Sequence, residues 1–162
     1  MRKIKAAIVG CGVISEVYLD SIRKNFQILD IVACSDLDEN RMNNIAQKYG
    51  IRAAAYEQIL NDPEVEMVIN LTSPAAHYPL TKQALEHGKH VYSEKMLAVE
   101  LEQAKELCRI AEEKKVRLGC APDTFLGGGI QTAKYALEKG MIGIPHSGLI
   151  SLSRDYRVYG EN

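Results

Sequence analysis

The stretch Lys5-Ala6-Ala7-Ile8-Val9-Gly10-Cys11-Gly12-Val13-Ile14-Ser15 decides the fold. After Lys5 its first part is apolar without polar alternation, as in a strand covered on both faces. The second part has the form GxGxx followed by Ser, and a helical pattern opens at Val13. A buried strand that turns through closely spaced glycines into a helix suits an anion such as phosphate. Gly10 permits the tight turn, Gly12 lets backbone approach a pyrophosphate, and Ser15 stands where close helix–strand packing needs a small residue. The first helical turn, at Val13 and Ile14, points unpaired N–H groups and the positive end of the helix dipole at the anion. Binding of this kind requires no basic side chain.

Working outward, apolar runs recur at 30–34, 67–71, 90–92 and 117–120, with a weaker one at 52–56. Helical patterns separate them, at 13–25, 38–49, 75–87 and 98–114, with a shorter one at 57–61. Tyr49-Gly50 and His87-Gly88 place glycine where a left-handed helix cap needs it. Regular strand–helix alternation implies a parallel sheet with right-handed crossovers and helices on both faces, a doubly wound α/β architecture. Residues 1–122 are expected to complete this domain.

The remainder reads differently. A glycine-opened helical pattern at 130–139 and the turn-rich Gly140-Met141-Ile142-Gly143-Ile144-Pro145 make 123–145 a connecting helix and turn. From Ser147 to Arg154 apolar and polar side chains alternate, as in a strand with one covered face. Residues 146–162 are therefore expected to hold the first strand of an incomplete, truncated C-terminal α+β domain, with His146 at the strand entry.

Composition narrows the function. The 162 residues are 46% hydrophobic and 25% charged, ordinary for a globular protein and too apolar for disorder. Twenty Lys and Arg against 21 Asp and Glu leave a formal net charge of −1, which provides no broad basic field for nucleic acid. No apolar run approaches the roughly 18 residues of a membrane span, and the start lacks the pattern of a signal peptide, so a cytoplasmic protein is expected. Cys11, Cys34, Cys108 and Cys120 lie in apolar contexts without CxxC spacing, which suits buried thiols better than disulfides or zinc. No metal site is expected.

Asp36 lies 24 residues beyond Gly12, at the end of the second apolar run. A carboxylate there accepts hydrogen bonds from the adenosine ribose hydroxyls and repels a 2′-phosphate, which favours NAD over NADP. The competing role is capping the next helix, for which Asp38 is a rival. Arg41 either flanks the adenine or a 2′-phosphate, or is an exposed helix residue.

Together with Asn70-Leu71-Thr72-Ser73-Pro74-Ala75-Ala76-His77 and Glu94-Lys95, these features resemble the Gfo/Idh/MocA family, dehydrogenases of sugars, inositols and related polyols. The resemblance spans essentially the whole chain and implies an NAD(P)-binding Rossmann fold. It also implies that Thr72, Pro74 and His77 lie along the pyrophosphate and nicotinamide ribose. His77 has a second reading, as a helix histidine bonded to backbone. The family's Glu-Lys-Pro signature stands here as Glu94-Lys95-Met96. The Lys95 ammonium would hold the nicotinamide ribose and the substrate hydroxyl and stabilise alkoxide character as hydride leaves, with Glu94 orienting it and keeping it charged. The plain alternative is a surface ion pair contributing roughly 0–1 kcal/mol. Met96 departs from the pattern and removes a fixed backbone turn. Asp123 falls where relatives line the substrate pocket, and a turn role after Pro122 suits it equally.

The resemblance further implies a homo-oligomer once the C-terminal domain is present, and a proton-accepting His in an Asp-xxx-His arrangement beyond the connector. Beyond Pro145, His146 precedes Asp155, the reverse order. The expected function is therefore the cofactor-binding part of an NAD-dependent polyol or sugar dehydrogenase, inactive by itself. The alternative is a non-catalytic NAD-binding redox sensor or scaffold. An S-adenosylmethionine methyltransferase would share the glycine turn and Asp36 but leaves Glu94-Lys95 unexplained.

Overall fold

Six parallel strands form one sheet: β1 (Ile4–Val9), β2 (Leu29–Ser35), β3 (Arg52–Ala53), β4 (Met67–Asn70), β5 (His90–Ser93) and β6 (Leu118–Cys120), in the spatial order 3-2-1-4-5-6. This computed structural model describes residues 2–122, 124–151 and 153. Five helices belong to the sheet domain: α1 (Val13–Asn25), α2 (Glu39–Tyr49), α3 (Tyr56–Asn61), α4 (Pro74–Glu86) and α5 (Leu101–Lys114).

Alternate residues of β1 serve opposite faces. Ala7 and Val9 join Val68 and Val91 against Leu85 of α4 and Leu107 and Ile110 of α5. Ala6 and Ile8 join Cys34 and Ile69 against Leu19 and Ile22 of α1 and Ile45 and Tyr49 of α2. Two cores on two faces make the doubly wound arrangement, so nearly every residue of β1 had to be apolar.

The chain builds β1, β2 and β3 outward in one direction, then returns to the far side of β1 for β4. The reversal makes the carboxyl ends of β1 and β4 the switch point of the sheet, where ligands of such sheets bind. Register aligns the strand ends there. Val9 stands beside both Ser35 and Asn70, Asn70 beside Ser93, and Ser93 beside Cys120. One residue further, Gly10, Leu71, Glu94 and Ala121 each donate their N–H to the neighbouring strand's last carbonyl, over 2.7–3.0 Å. The glycine turn and the Glu-Lys pair thus begin along one edge, with Asp36 directly after Ser35.

Local chemistry sets the element ends. Asp38 accepts the N–H groups of Asn40 and Arg41 and caps α2, which closes at Gly50 in a left-handed conformation (φ 61°). Gly88 plays the same part after α4 (φ 73°). The weak run at 52–56 shortens to the two residues of β3, because the Ala55 N–H turns to the Gln58 side chain and Tyr56 opens α3. Likewise α5 starts at Leu101 instead of 98, where the Glu100 N–H meets Gln103 Oε1.

The expectation of four buried cysteines holds for Cys11 and Cys34 only. Cys120 is half-buried and Cys108 is exposed, since α5 buries Leu107, Ile110 and Ala111 and turns position 108 away. Hydrogen bonding with Cys34, then burial, push the Cys11 thiol well above its ordinary range.

The described residues from position 124 onward belong to a second compact unit. A short 3-10 turn (Thr124–Leu126) leads into α6 (Gly128–Glu138), and Gln131 donates to the Phe125 carbonyl over 2.6 Å. His146 and residues 147–151 carry no strand. The alternating pattern read as a strand over 147–154 therefore has no ladder among its described residues, and a strand with one covered face requires a neighbour to pair with. Among the described residues no helix is long and apolar enough to cross a membrane.

Candidate cofactor-binding site

The glycine turn is built by two glycines with different tasks. Gly10 has φ +96°, and a Cβ there would stand 2.7 Å from the Leu71 carbonyl carbon. It is required because the ends of β1 and β4 nearly touch. Gly12 has an ordinary φ of −76°, and nothing lies within 4 Å of where its Cβ would project. That open space fronts the first turn of α1, whose N-cap carries no side-chain hydrogen bond. Free helix N–H groups beside a cradle that a methyl group would fill suit a pyrophosphate. Val13 and Ile14 lie in this turn, both exposed.

Ser15 faces the other way. It is fully buried, and its hydroxyl donates to the Gly12 carbonyl over 2.6 Å. The side chain braces the turn from inside, in the place where close helix–strand packing needs a small residue.

Asp36 stands against the same turn. Its Oδ2 accepts the Cys11 N–H over 2.6 Å and its Oδ1 the Asp38 N–H over 2.8 Å. Since Asp38 caps α2, the capping alternative for Asp36 falls away. The Arg41 guanidinium forms an ion pair with Asp38 at 3.4 Å and is largely exposed.

After β4, the fully buried Asn70 organises the next loop. Its Oδ1 accepts both the Thr72 N–H (3.2 Å) and the Thr72 hydroxyl (2.7 Å), while its Nδ2 donates to Thr81 Oγ1 and the His77 carbonyl. Pro74 occupies the first turn of α4, where its missing N–H costs nothing.

His77 is 1% exposed, with Nε2 2.8 Å from the Thr72 carbonyl oxygen and Nδ1 2.5 Å from that of Met96. This is the backbone-bonded arrangement of the second sequence reading, with the ring set between the loops after β4 and β5.

Those braces hold Glu94-Lys95-Met96. Glu94 Oε2 accepts the backbone N–H of Lys95 over 3.0 Å, and Oε1 accepts the Tyr18 hydroxyl over 2.7 Å. The ion pair weighed for Glu94 and Lys95 is replaced by this arrangement, in which Glu94 fixes the Lys95 main chain. The Lys95 side chain is exposed at the sheet edge, and the Lys95–Met96 peptide bond is cis. Where a proline would stiffen the turn, the Met96 carbonyl is held by His77. Asp123 lies outside the described residues.

Sequence reasoning missed Asn70 and Tyr18. A polar side chain ending the apolar run Met67-Val68-Ile69 was a signal for Asn70. Nothing local signalled Tyr18, which meets Glu94 from 76 positions away.

A family model described as oxidoreductase family, NAD-binding Rossmann fold, matches residues 4–121. The chain belongs to the Gfo/Idh/MocA oxidoreductase family. It is 32% identical over 115 residues to the inositol 2-dehydrogenase/D-chiro-inositol 3-dehydrogenase of Lactiplantibacillus plantarum, covering 69% of this chain and 32% of that protein. The WlbA dehydrogenase of Bordetella pertussis, solved with NADH and UDP-GlcNAcA, superposes with a TM-score of 0.82 at 25% identity, over 88% of this chain and 41% of that one. The biliverdin reductase of Synechocystis, solved with biliverdin and NADP+, gives a TM-score of 0.75 at 28% identity, over 84% and 43%. This Gfo/Idh/MocA chain thus spans less than half the length of these relatives, and its sheet domain is an NAD(P)-binding Rossmann domain.

Proposed function

We propose that the chain binds NAD in preference to NADP, as the cofactor part of a dehydrogenase that moves hydride between NAD and a secondary hydroxyl of a sugar, inositol or related polyol. The observation that carries this reading is the Asp36 carboxylate bonded to the Cys11 N–H, which sets a negative charge beside the open cradle at Gly12. An anion in that cradle is held by helix N–H groups, and Asp36 takes the adenosine ribose hydroxyls while repelling a 2′-phosphate.

The residues after β4 and β5 supply the other end. Thr72 and Pro74 border the nicotinamide ribose, and the Lys95 ammonium holds that ribose and the substrate hydroxyl. Bound NAD supplies the hydride acceptor. The chain's own contribution is to bind, orient and place a cation where alkoxide character develops. The relatives support the substrate class, since one is an inositol dehydrogenase and another was solved with UDP-GlcNAcA. By itself the chain binds cofactor without turnover.

Titration of the folded chain with NADH and NADPH tests the reading. Saturable enhancement of NADH fluorescence, with weaker binding of NADPH, is the expected result. Absence of NADH binding at millimolar cofactor would overturn it, and tighter binding of NADPH would overturn the preference.

A further inference from the structure

We infer that Tyr18 is a positioning residue, whose hydroxyl holds the Glu94 carboxylate and so couples the phosphate-binding helix to the loop that carries Lys95. The inference rests on the cofactor reading above. Tyr18 lies on α1, the helix whose N-terminus faces the Gly12 cradle, and its ring stands 6.4 Å from that of Tyr92 on β5, tilted by 52°. From there its hydroxyl reaches Glu94 Oε1 over 2.7 Å.

Glu94 is otherwise fixed through its backbone. Its N–H donates to the Asn70 carbonyl over 2.8 Å, and the Cys120 thiol lies 3.6 Å from its carbonyl oxygen. Among the described residues the side chain has two anchors, Tyr18 on Oε1 and the Lys95 N–H on Oε2. One comes from the residue to be positioned; the other comes from a different element. Removing the phenol oxygen frees the carboxylate to rotate about its side-chain torsions, and Lys95 loses the acceptor that sets its main chain. A charge-assisted hydrogen bond of this length is among the stronger ones. A shift of α1 on seating a pyrophosphate would be passed to Lys95 through it.

The consequence is selective. Tyr18 matters for the nicotinamide end of the cofactor and little for the ADP-ribose portion, which meets the glycine turn and Asp36. The test compares Tyr18→Phe with the unchanged chain for two probes, NADH and ADP-ribose, by calorimetric titration. Tyr18→Phe keeps the ring and its packing. The expected result is NADH binding weakened about tenfold, the scale of one hydrogen bond to a charged group, with ADP-ribose affinity kept within about twofold.

A cycle with Glu94→Ala supplies the second readout. Once Glu94 is gone, adding Tyr18→Phe should change NADH affinity by less than about twofold. Equal weakening of both probes would show that Tyr18 only supports α1 and would overturn the inference, as would no weakening of NADH binding or full additivity in the cycle. If the unchanged chain binds neither probe, the cofactor reading fails first and the inference falls with it, a result visible before any substitution is made.

Discussion

The backbone N–H of Cys11 donates to Asp36 Oδ2 over 2.6 Å, joining the glycine turn after β1 to the acidic residue after β2. Asp36 thus shapes the turn, and under the proposed cofactor reading it also presents charge to a ribose. Replacing it with Ser removes the charge that repels a 2′-phosphate and shortens the reach to Cys11. Asp36→Ser is expected to narrow the preference for NADH over NADPH at least tenfold, about 1.4 kcal/mol, while weakening NADH binding as well. Paired titrations check this; an unchanged NADH-to-NADPH ratio would mean that Asp36 does not read the ribose.

The two glycines of the turn separate folding from binding. An alanine Cβ at Gly10 would lie 2.7 Å from Leu71 backbone and at φ +96°, so Gly10→Ala should lower stability by about 2 kcal/mol or more. At Gly12 the same methyl meets nothing within 4 Å and an ordinary φ. Gly12→Ala should therefore unfold at an unchanged urea midpoint, yet lose NADH affinity at least tenfold because the methyl occupies the phosphate cradle. Denaturation and titration of both variants decide it. Intact NADH binding in Gly12→Ala would remove the cradle from the site.

Much of this was legible because each signal was local. A strand buried on two faces must be apolar at consecutive positions, as Ala6 to Val9 are, and a residue that caps or turns must sit at an element's end, as Asp38 and Gly50 do. The edge bearing Gly10, Asp36 and Glu94 could be read from the same logic, since each follows a strand. Side-chain direction could not. Ser15 and His77 occupy motif positions but point inward, which depends on the partners each finds across the fold: the Gly12 carbonyl for one, the Thr72 and Met96 carbonyls for the other. The Tyr18–Glu94 bond spans 76 positions and has no local trace. The alternation from Ser147 onward has no ladder among its described residues, since a local pattern does not itself supply a neighbouring strand.

His77 gives a prediction from its position between two loops. Leucine in its place keeps the bulk but removes the ring N–H, which a neutral imidazole donates to one of the Thr72 and Met96 carbonyls. His77→Leu should cost about 1–3 kcal/mol, read as a lower urea midpoint with an unchanged m-value. His77→Gln, which retains an NH2 donor, should lose less. A His77→Leu midpoint equal to that of the unchanged chain would show that the ring is only space-filling.

The pH dependence of stability should be traceable to the contact between α4 and α5. Glu106 on α5 accepts the Lys82 ammonium over 2.7 Å and the Tyr78 hydroxyl over 2.6 Å, both from α4. Hydrogen bonding by Lys82, then by Tyr78, holds the Glu106 carboxyl below its ordinary range. Asp62 is lowered too, first by the Glu64 backbone N–H and also by Arg52. A carboxyl lowered in the folded state binds fewer protons there than in the unfolded chain, so its stabilisation is fully present above the ordinary carboxylate range, near 4, and is lost as pH falls through the lowered folded value. Urea midpoints should therefore decline in acid. Glu106→Gln should unfold more easily at neutral pH and show a shallower decline, and adding Asp62→Asn should flatten it further. An acid decline in Glu106→Gln as steep as in the unchanged chain would mean that the Lys82–Glu106–Tyr78 contact is too well solvated to contribute.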